Sequence, residues 1–404
     1  MTALQDYLRT EGNTPEKLKA ELGIDFYEHP TLPLMGFKYG MIDSPKTHPI
    51  VMASRGTVLE KGTWKLVAQP FFRFFNWGEG PVEEMESFDW NDCYCNTKED
   101  GSLCILYHYK DEWHVNTSGS FAKGQVNPLY KGTWEDLFFR TLDIHKLWDI
   151  DRKTQVYSPR EYFNKFYGKL FDPYCTYIFE LCSVYNKVIR YYETPEVYLL
   201  GINGINPVVE IYPFIVENTA KLLGIKCPQT YEFKSIKEVD DFLVSKELTD
   251  RTFEGIVLRD DSDRRFKVKN KAYLNLHQMH NNGKWSYKHV LSFIVRNDTE
   301  ELLNYFPEAK DVVNEMKEKT DAEYAKLRSV WFNNWLIKDQ KQFALAIVPA
   351  TKFSGILFEL RKEMKNKQTE EDLQRHWRNS EDLIIKVLFK NLVDKEEPVL
   401  RENS

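Results

Sequence analysis

Phe253-Glu254-Gly255-Ile256-Val257-Leu258 sets an acidic residue at the mouth of a strand-like run, and Phe266-Lys267-Val268-Lys269 follows it with two lysines one residue apart. Alternation along a strand puts both ammonium groups on one face. There they repel unless an anion lies between them, and phosphate is the usual one. Read alone, each segment is equally a strand-edge glutamate and a solvated basic face. Upstream, Lys98-Glu99-Asp100-Gly101-Ser102 immediately precedes a strand that begins at Leu103. In isolation it is a hairpin turn, since Asp-Gly is a favoured turn pair. Ser54-Arg55-Gly56 places an arginine just ahead of another strand, and Phe71-Phe72-Arg73-Phe74-Phe75-Asn76 embeds a second arginine in aromatics. Glu180 lies inside the apolar run Thr176-Tyr-Ile-Phe-Glu-Leu181, where a carboxylate is costly unless it is paired or ligand-bound.

The elements that must carry these residues are mostly short strands. Gly56–Glu60, Leu103–His108, Trp113–Asn116, Thr176–Leu181, Val197–Ile202 and Gly255–Arg259 have strand composition. Residues 1–20 suggest a short helix, and Pro30, Pro33, Gly36, Gly40, Pro45 and Pro49 then break regular structure repeatedly. Ile236–Ser245 has a helical period. The pattern predicts an α+β fold with a largely antiparallel sheet. Beyond about Tyr273 the apolar spacing becomes three and four, with Tyr324, Leu327, Trp331 and Trp335 in one stripe and Leu383, Val387 and Lys390 marking another helical segment. Asp298-Thr299-Glu300-Glu301 has the form of a capping box. We expect a sheet-containing domain over residues 1–275 and an all-helical domain over 281–404.

The chain of 404 residues is 42% apolar and 14% aromatic, enough for a sizeable core and incompatible with wholesale disorder. No apolar run approaches the ~20 residues of a membrane helix, and the N-terminal segment lacks a continuous hydrophobic stretch. The expectation is a cytoplasmic protein with no membrane partner. Cys93, Cys95, Cys104, Cys175, Cys182 and Cys227 form no CxxC pair and read as reduced thiols. A net charge of −6 argues against a broad nucleic-acid surface. Arg259, Arg264, Arg265, Lys267, Lys269 and Lys271 nevertheless cluster against Asp260, Asp261 and Asp263, so any phosphate site is local and lies in a cleft.

Taken in order, Lys98-x-Asp100-Gly101, Glu180, Glu254-Gly255 and Lys267-x-Lys269 resemble the motifs of the covalent nucleotidyltransferases, the superfamily of ATP-dependent ligases and mRNA capping enzymes. Lys98-Glu-Asp-Gly-Ser102, with Ser54-Arg-Gly56 and Phe74-Phe-Asn76 upstream, narrows the resemblance to the bacteriophage-type RNA ligase 1 family. The match spans roughly residues 35–275. The helical tail suits that family, whereas DNA ligases and capping enzymes usually continue into an OB-fold.

The resemblance implies an antiparallel-sheet nucleotidyltransferase domain followed by a helical domain that sets substrate specificity. It implies that the Lys98 amine attacks the α-phosphorus of ATP to give lysyl-AMP, that AMP passes to an RNA 5′-phosphate, and that a 3′-OH then seals the strand. It assigns Glu180 to the ribose hydroxyls, Lys267 and Lys269 to the α-phosphate, and Arg55 and Arg73 to ribose or the outer phosphates. Asp100 would position the nucleophile and the metal, and Phe37 would stack on or edge the adenine. Glu254 would hold Mg2+, with Mn2+ as a second option. Glu300 corresponds to an acidic residue that holds a hydrated metal, although its place in the capping box offers a purely structural role. Arg73 stands where the family has lysine. Neighbouring positive charge would lower the pKa of Lys98.

The implied partners are ATP and single-stranded RNA ends, tRNA among them, in the host-cell cytoplasm if the gene is viral; the sequence indicates no protein partner. Two alternatives stay open at this stage: a ligase or 5′-adenylating enzyme acting on DNA ends, and a non-catalytic RNA-binding relative.

Overall fold

Among the described residues, fourteen strands order the first part of the chain: β1 (Ile24–Glu28), β2 (Leu34–Tyr39), β3 (Arg55–Glu60), β4 (Leu66–Ala68), β5 (Phe75–Asn76), β6 (Cys93–Thr97), β7 (Ser102–Tyr109), β8 (Glu112–Thr117), β9 (Cys175–Cys182), β10 (Glu196–Ile205), β11 (Val208–Glu210), β12 (Thr230–Tyr231), β13 (Gly255–Asp260) and β14 (Arg265–Lys269). The structure is a computed structural model that describes residues 1–40, 44–79, 81–127, 129–143, 157–280, 285–296, 299, 302–303, 306, 309–364, 369, 373–374, 376–377 and 380–392. It divides into two units, Met1–Leu274 and Asn275–Ser404.

The described residues of the first unit form three sheets rather than one, ordered β1-β2-β3-β4, β11-β10-β9-β7-β8 and β12-β6-β13-β14-β5. Among these described strands, all pairings are antiparallel except β14 with β5. Every strand expected from sequence lies inside one of these elements. The middle sheet is covered on both faces, which is why β7 reads as a continuous apolar run. Ile105 and Tyr107 pack toward Val58, Val67 and Ala68 of the first sheet. Cys104 and Leu106 point the other way, toward Phe138, Phe163 and Phe179.

The third sheet has one apolar and one polar face. Cys95, Ile256, Leu258 and Phe266 pack with Val239 and Leu243 of the helix Ile236–Thr249, which Ser235 caps by accepting from Glu238 N. The alternate residues Val257, Arg259, Arg265, Lys267 and Lys269 face a cleft. Residues 1–20 form two helices, Ala3–Arg9 and Pro15–Leu22, each started by a threonine cap.

Gly255 is required where it stands. Its φ is +153°, and a Cβ there would lie 2.1 Å from the Val268 carbonyl oxygen and 2.9 Å from the Lys269 Cα. Gly255→Ala must therefore push β13 from β14, and we expect it to cost about 3 kcal/mol or more in urea unfolding. Wild-type stability in the variant would show that the strand pair yields.

In the second unit the described elements are helices: Tyr287–Arg296, Lys310–Asn334, Gln340–Ile347, Ser354–Glu363 and Glu381–Leu392, with Lys271–His280 crossing the boundary. Leu327 and Trp331 are buried as expected, and Trp377 Nε1 donates to the Tyr324 hydroxyl at 3.0 Å. The last helix buries Ile384, Ile385 and Leu388, one position off the anticipated stripe of Leu383, Val387 and Lys390. Glu300 lies outside the described residues, as do most of the capping-box positions around it. Among the described residues no helix is long and apolar enough to cross a membrane.

Candidate active site

The segment Lys98–Gly101 is not a hairpin turn. It links β6 of the third sheet to β7 of the middle sheet and so stands where two sheets diverge. Lys98 N donates to the Gly255 carbonyl at 2.8 Å, which ties the segment to the start of β13. Gly101 permits a close approach on the other side, since a Cβ there would sit 2.3 Å from the Leu181 carbonyl oxygen. Two glycines thus pin the backbone that presents Lys98.

Between these sheets lies a cleft of about 250 Å³, open to solvent and lined by residues from β3, β6, β7, β9, β10, β13 and β14. Arg55, Lys98, Glu180, Lys267 and Lys269 all face it. Glu254 is buried at its base, where Lys98 Nζ approaches Oε1 at 2.8 Å and Lys269 Nζ approaches the same oxygen at 3.0 Å. Burial pushes the Glu254 carboxyl up, but Lys98 and then Lys269 hold it below its usual range. It is the shared counter-ion of two lysines.

Two further cleft cations lack such a partner. The side chains of Arg55 and Lys267 make no hydrogen bond or ion pair with another described residue; the guanidinium lies 5.4 Å and the ammonium 5.6 Å from the centroid of the Phe74 ring. Burial, then the charges of Arg55, Lys98 and Lys269, bring the Lys267 pKa down to about 8. Unpaired cations held together in a partly desolvated cleft make an anion-binding site.

Glu180 is likewise free of hydrogen-bond and ion-pair partners among the described residues. Burial, opposed by Lys98 and reinforced by Glu254, raises its pKa to about 8. Its folded-state pKa exceeds the unfolded value of 4.5, so the native protein keeps a proton that the unfolded chain has lost. The stability this proton contributes is therefore lost as pH rises from about 4.5 toward 8. Wild type should lose stability relative to Glu180→Gln across that range. Parallel stability–pH curves for the two proteins would contradict the assignment.

Several expected roles change. Burial alone would lower the Lys98 pKa, but Glu254, Glu180 and Asp100 outweigh it and raise the pKa above its usual value. The expected depression falls on Lys267 instead. Asp100 does not line the cleft: its Oδ2 accepts from Ile189 N at 2.9 Å and Arg190 N at 2.7 Å, and its Oδ1 accepts from the Tyr273 hydroxyl at 2.9 Å. It braces the Lys98 segment from behind. Phe37 is fully buried in the core beneath the first sheet, packed with Leu4, Ile24 and Leu59, and does not reach the cleft; Tyr39 does. Arg73 is not among the residues that line the cleft; it lies 4.2 Å over the Phe75 ring and donates to the Lys46 carbonyl at 3.5 Å.

The structure also brings to the cleft residues to which the sequence reading gave no individual role. Glu99 lines the cleft beside Lys98, and burial raises its pKa to about 7 against the opposing charge of Arg190. Tyr39, Phe71, Phe74, Glu210 and Arg265 complete the walls. Arg265 shares the alternation of Lys267 and Lys269, so its facing was legible; Glu210, from another sheet, carried no local signal.

As for a metal, no group of three or more His, Cys, Asp or Glu is placed to hold one among the described residues. The donor set is the buried Glu254 carboxylate at the foot of the cation cluster. This fits a hard cation that takes one or two carboxylates and completes its shell with water and phosphate oxygens, and does not fit a closed zinc site.

A family model described as RNA ligase matches residues 53–274, the span that contains Arg55, Lys98, Glu180, Glu254, Lys267 and Lys269. A putative bifunctional polynucleotide kinase/RNA ligase of Autographa californica nuclear polyhedrosis virus is 27% identical over 313 residues, 74% of this chain and 41% of that protein. The RNA ligase of Rhodothermus phage RM378 is 26% identical over 184 residues, 39% of this chain and 38% of that protein. Among solved structures, an archaeal ATP-dependent RNA ligase (form 1) has a TM-score of 0.42 at 11% identity, covering 93% of this chain and 77% of that one. The chain spans less than half the length of either curated relative. With more than half of its residues inside the matching model, the chain belongs to the RNA ligase family.

Proposed function

We propose that this protein is an ATP-dependent RNA ligase that joins 5′-phosphate and 3′-OH ends of single-stranded RNA. The observation that carries this reading is the placement of Lys98. A primary amine is fixed at 2.8 Å from a buried carboxylate, with a second lysine on the same oxygen and unpaired cations along the wall beside it. A structural lysine has no use for that surplus of positive charge; an amine that attacks a polyphosphate does.

In this reading the resting amine is protonated and parked on Glu254. ATP brings negative charge to Arg55, Lys267 and Lys269, and Lys98 loses its proton before attacking the α-phosphorus. The cations stabilise charge that builds on the phosphoryl oxygens as the bond to the leaving pyrophosphate breaks. Glu180 accepts or donates a hydrogen bond at the ribose hydroxyls. Asp100, through its contacts with Ile189, Arg190 and Tyr273, keeps the nucleophile segment in place. Glu254 is the residue that would hold Mg2+, or Mn2+ in its stead; a bound divalent ion would supply Lewis-acid charge neutralisation there.

We assign the helical unit after residue 275 to selection of the RNA ends, cleaved tRNA among the candidates, and the cytoplasm, that of the host cell if the gene is viral, as the place of action. The test is incubation with α-labelled ATP and Mg2+ followed by denaturing electrophoresis. A labelled protein band supports the reading; no band from folded protein with metal present would remove it.

A further inference from the structure

Arg265 points into the cleft on the same strand face as Lys267 and Lys269 but, unlike Lys267, it already holds an anion. Glu210, the last residue of β11, binds it through both oxygens: Nη1 donates to Oε2 at 2.9 Å and Nη2 to Oε1. Arg259, the cross-strand neighbour of Arg265 on β13, adds its Nε at 3.3 Å from the same Oε1. All three side chains line the cleft. The Arg265 guanidinium lies 4.2 Å over the Phe71 ring, so its plane keeps support from an aromatic floor whichever anion it binds. Arg259 keeps a second carboxylate in Asp263.

Two guanidiniums on one carboxylate, on the wall of an anion-binding cleft, form a two-pronged fork that a phosphate fits as well as a carboxylate does. Arg265 also continues the cation row, one residue pair or about 6.8 Å along the strand from Lys267. We propose that Arg265, with Arg259, holds the terminal phosphates of the nucleoside triphosphate and then the pyrophosphate formed from them, and that Glu210 is a tethered competitor for the same fork. This rests on the adenylyl transfer proposed above. In that step the Lys98 nitrogen forms a bond to the α-phosphorus and sheds its proton to solvent. The bond from the α-phosphorus to its bridging oxygen breaks, and the electron pair leaves with pyrophosphate. Glu210 returns to Arg265 as pyrophosphate departs. A carboxylate that reclaims the fork shortens pyrophosphate residence and disfavours reversal.

The test starts from isolated protein carrying α-labelled AMP, titrated with inorganic pyrophosphate, with loss of label as the readout. Glu210→Gln removes the competing charge and should lower the pyrophosphate concentration for half-reversal about tenfold. Arg265→Gln should raise it by a similar factor, and Arg265→Lys, which keeps the charge without the fork, should fall between Arg265→Gln and wild type. A bridge that only fastened the sheets would move Glu210→Gln and Arg265→Gln in the same direction. That result, or no shift in either, overturns the inference. Wild-type protein that never acquires label overturns the adenylyl-transfer reading instead, so the two failures are distinguishable.

Discussion

Lys98→Ala is expected to abolish covalent labelling by α-labelled ATP while leaving the protein folded. The amine is the only group at that position able to form the P–N bond, and Lys98→Arg should fail as well, because a guanidinium stays protonated. Stability should change little. Glu254 keeps Lys269 at 3.0 Å after the substitution, so the buried carboxylate is not orphaned, and the side chain removed is 24% exposed. We expect a loss of less than about 2 kcal/mol. Thermal unfolding beside the labelling gel separates the two effects. A Lys98→Ala band as strong as wild type would place the nucleophile elsewhere.

Glu254→Ala should have the second large effect, and of a different kind. It leaves Lys98 and Lys269 facing each other, with Lys267 near, in a site where the counter-ion was 5% exposed. Breaking a buried pair in this way costs about 3–5 kcal/mol, which corresponds to a fall in Tm on the order of 10 °C. Labelling should be lost too, because Lys98 is no longer held and the carboxylate proposed to hold the metal is gone. Glu254→Gln keeps a hydrogen-bond acceptor of the same shape, and should recover part of the stability but not the labelling. The contrast between Lys98→Ala and Glu254→Ala is therefore the useful measurement: one variant inactive and stable, the other inactive and destabilised. Equal stability of both would mean that the lysines do not depend on Glu254 as described.

The strands were legible because half-buried sheets impose alternation, and that alternation is plain in Gly255–Asp260 and Arg265–Lys269. The site residues were legible as types and order, but not as layers. Lys98 and Asp100 lie two apart in sequence; one faces the cleft, and the other is turned back by backbone amides ninety residues downstream. No local pattern encodes that. Phe37 was misjudged for a related reason: a strand aromatic near the motifs belongs to whichever face its register selects, and here that face is the core with Leu4 and Ile24. The charge state of Lys98 depends on a carboxylate 156 positions away in the chain yet 2.8 Å from its nitrogen. Its sign could not be read from motif composition. Arg265 was named in the basic cluster but given no role of its own, because the anion it holds comes from another sheet.

The central claim is most directly tested by transfer. Protein labelled with α-labelled AMP is freed of ATP, then mixed with Mg2+ and a 5′-phosphorylated RNA strand bearing a 3′-OH, in parallel with a DNA strand of the same sequence. Label is expected to leave the protein, appear on the RNA 5′ end, and be released as AMP while the RNA is joined or circularised, with DNA much the poorer acceptor. Label that stays on the protein with RNA, or moves equally well to DNA, would contradict that claim.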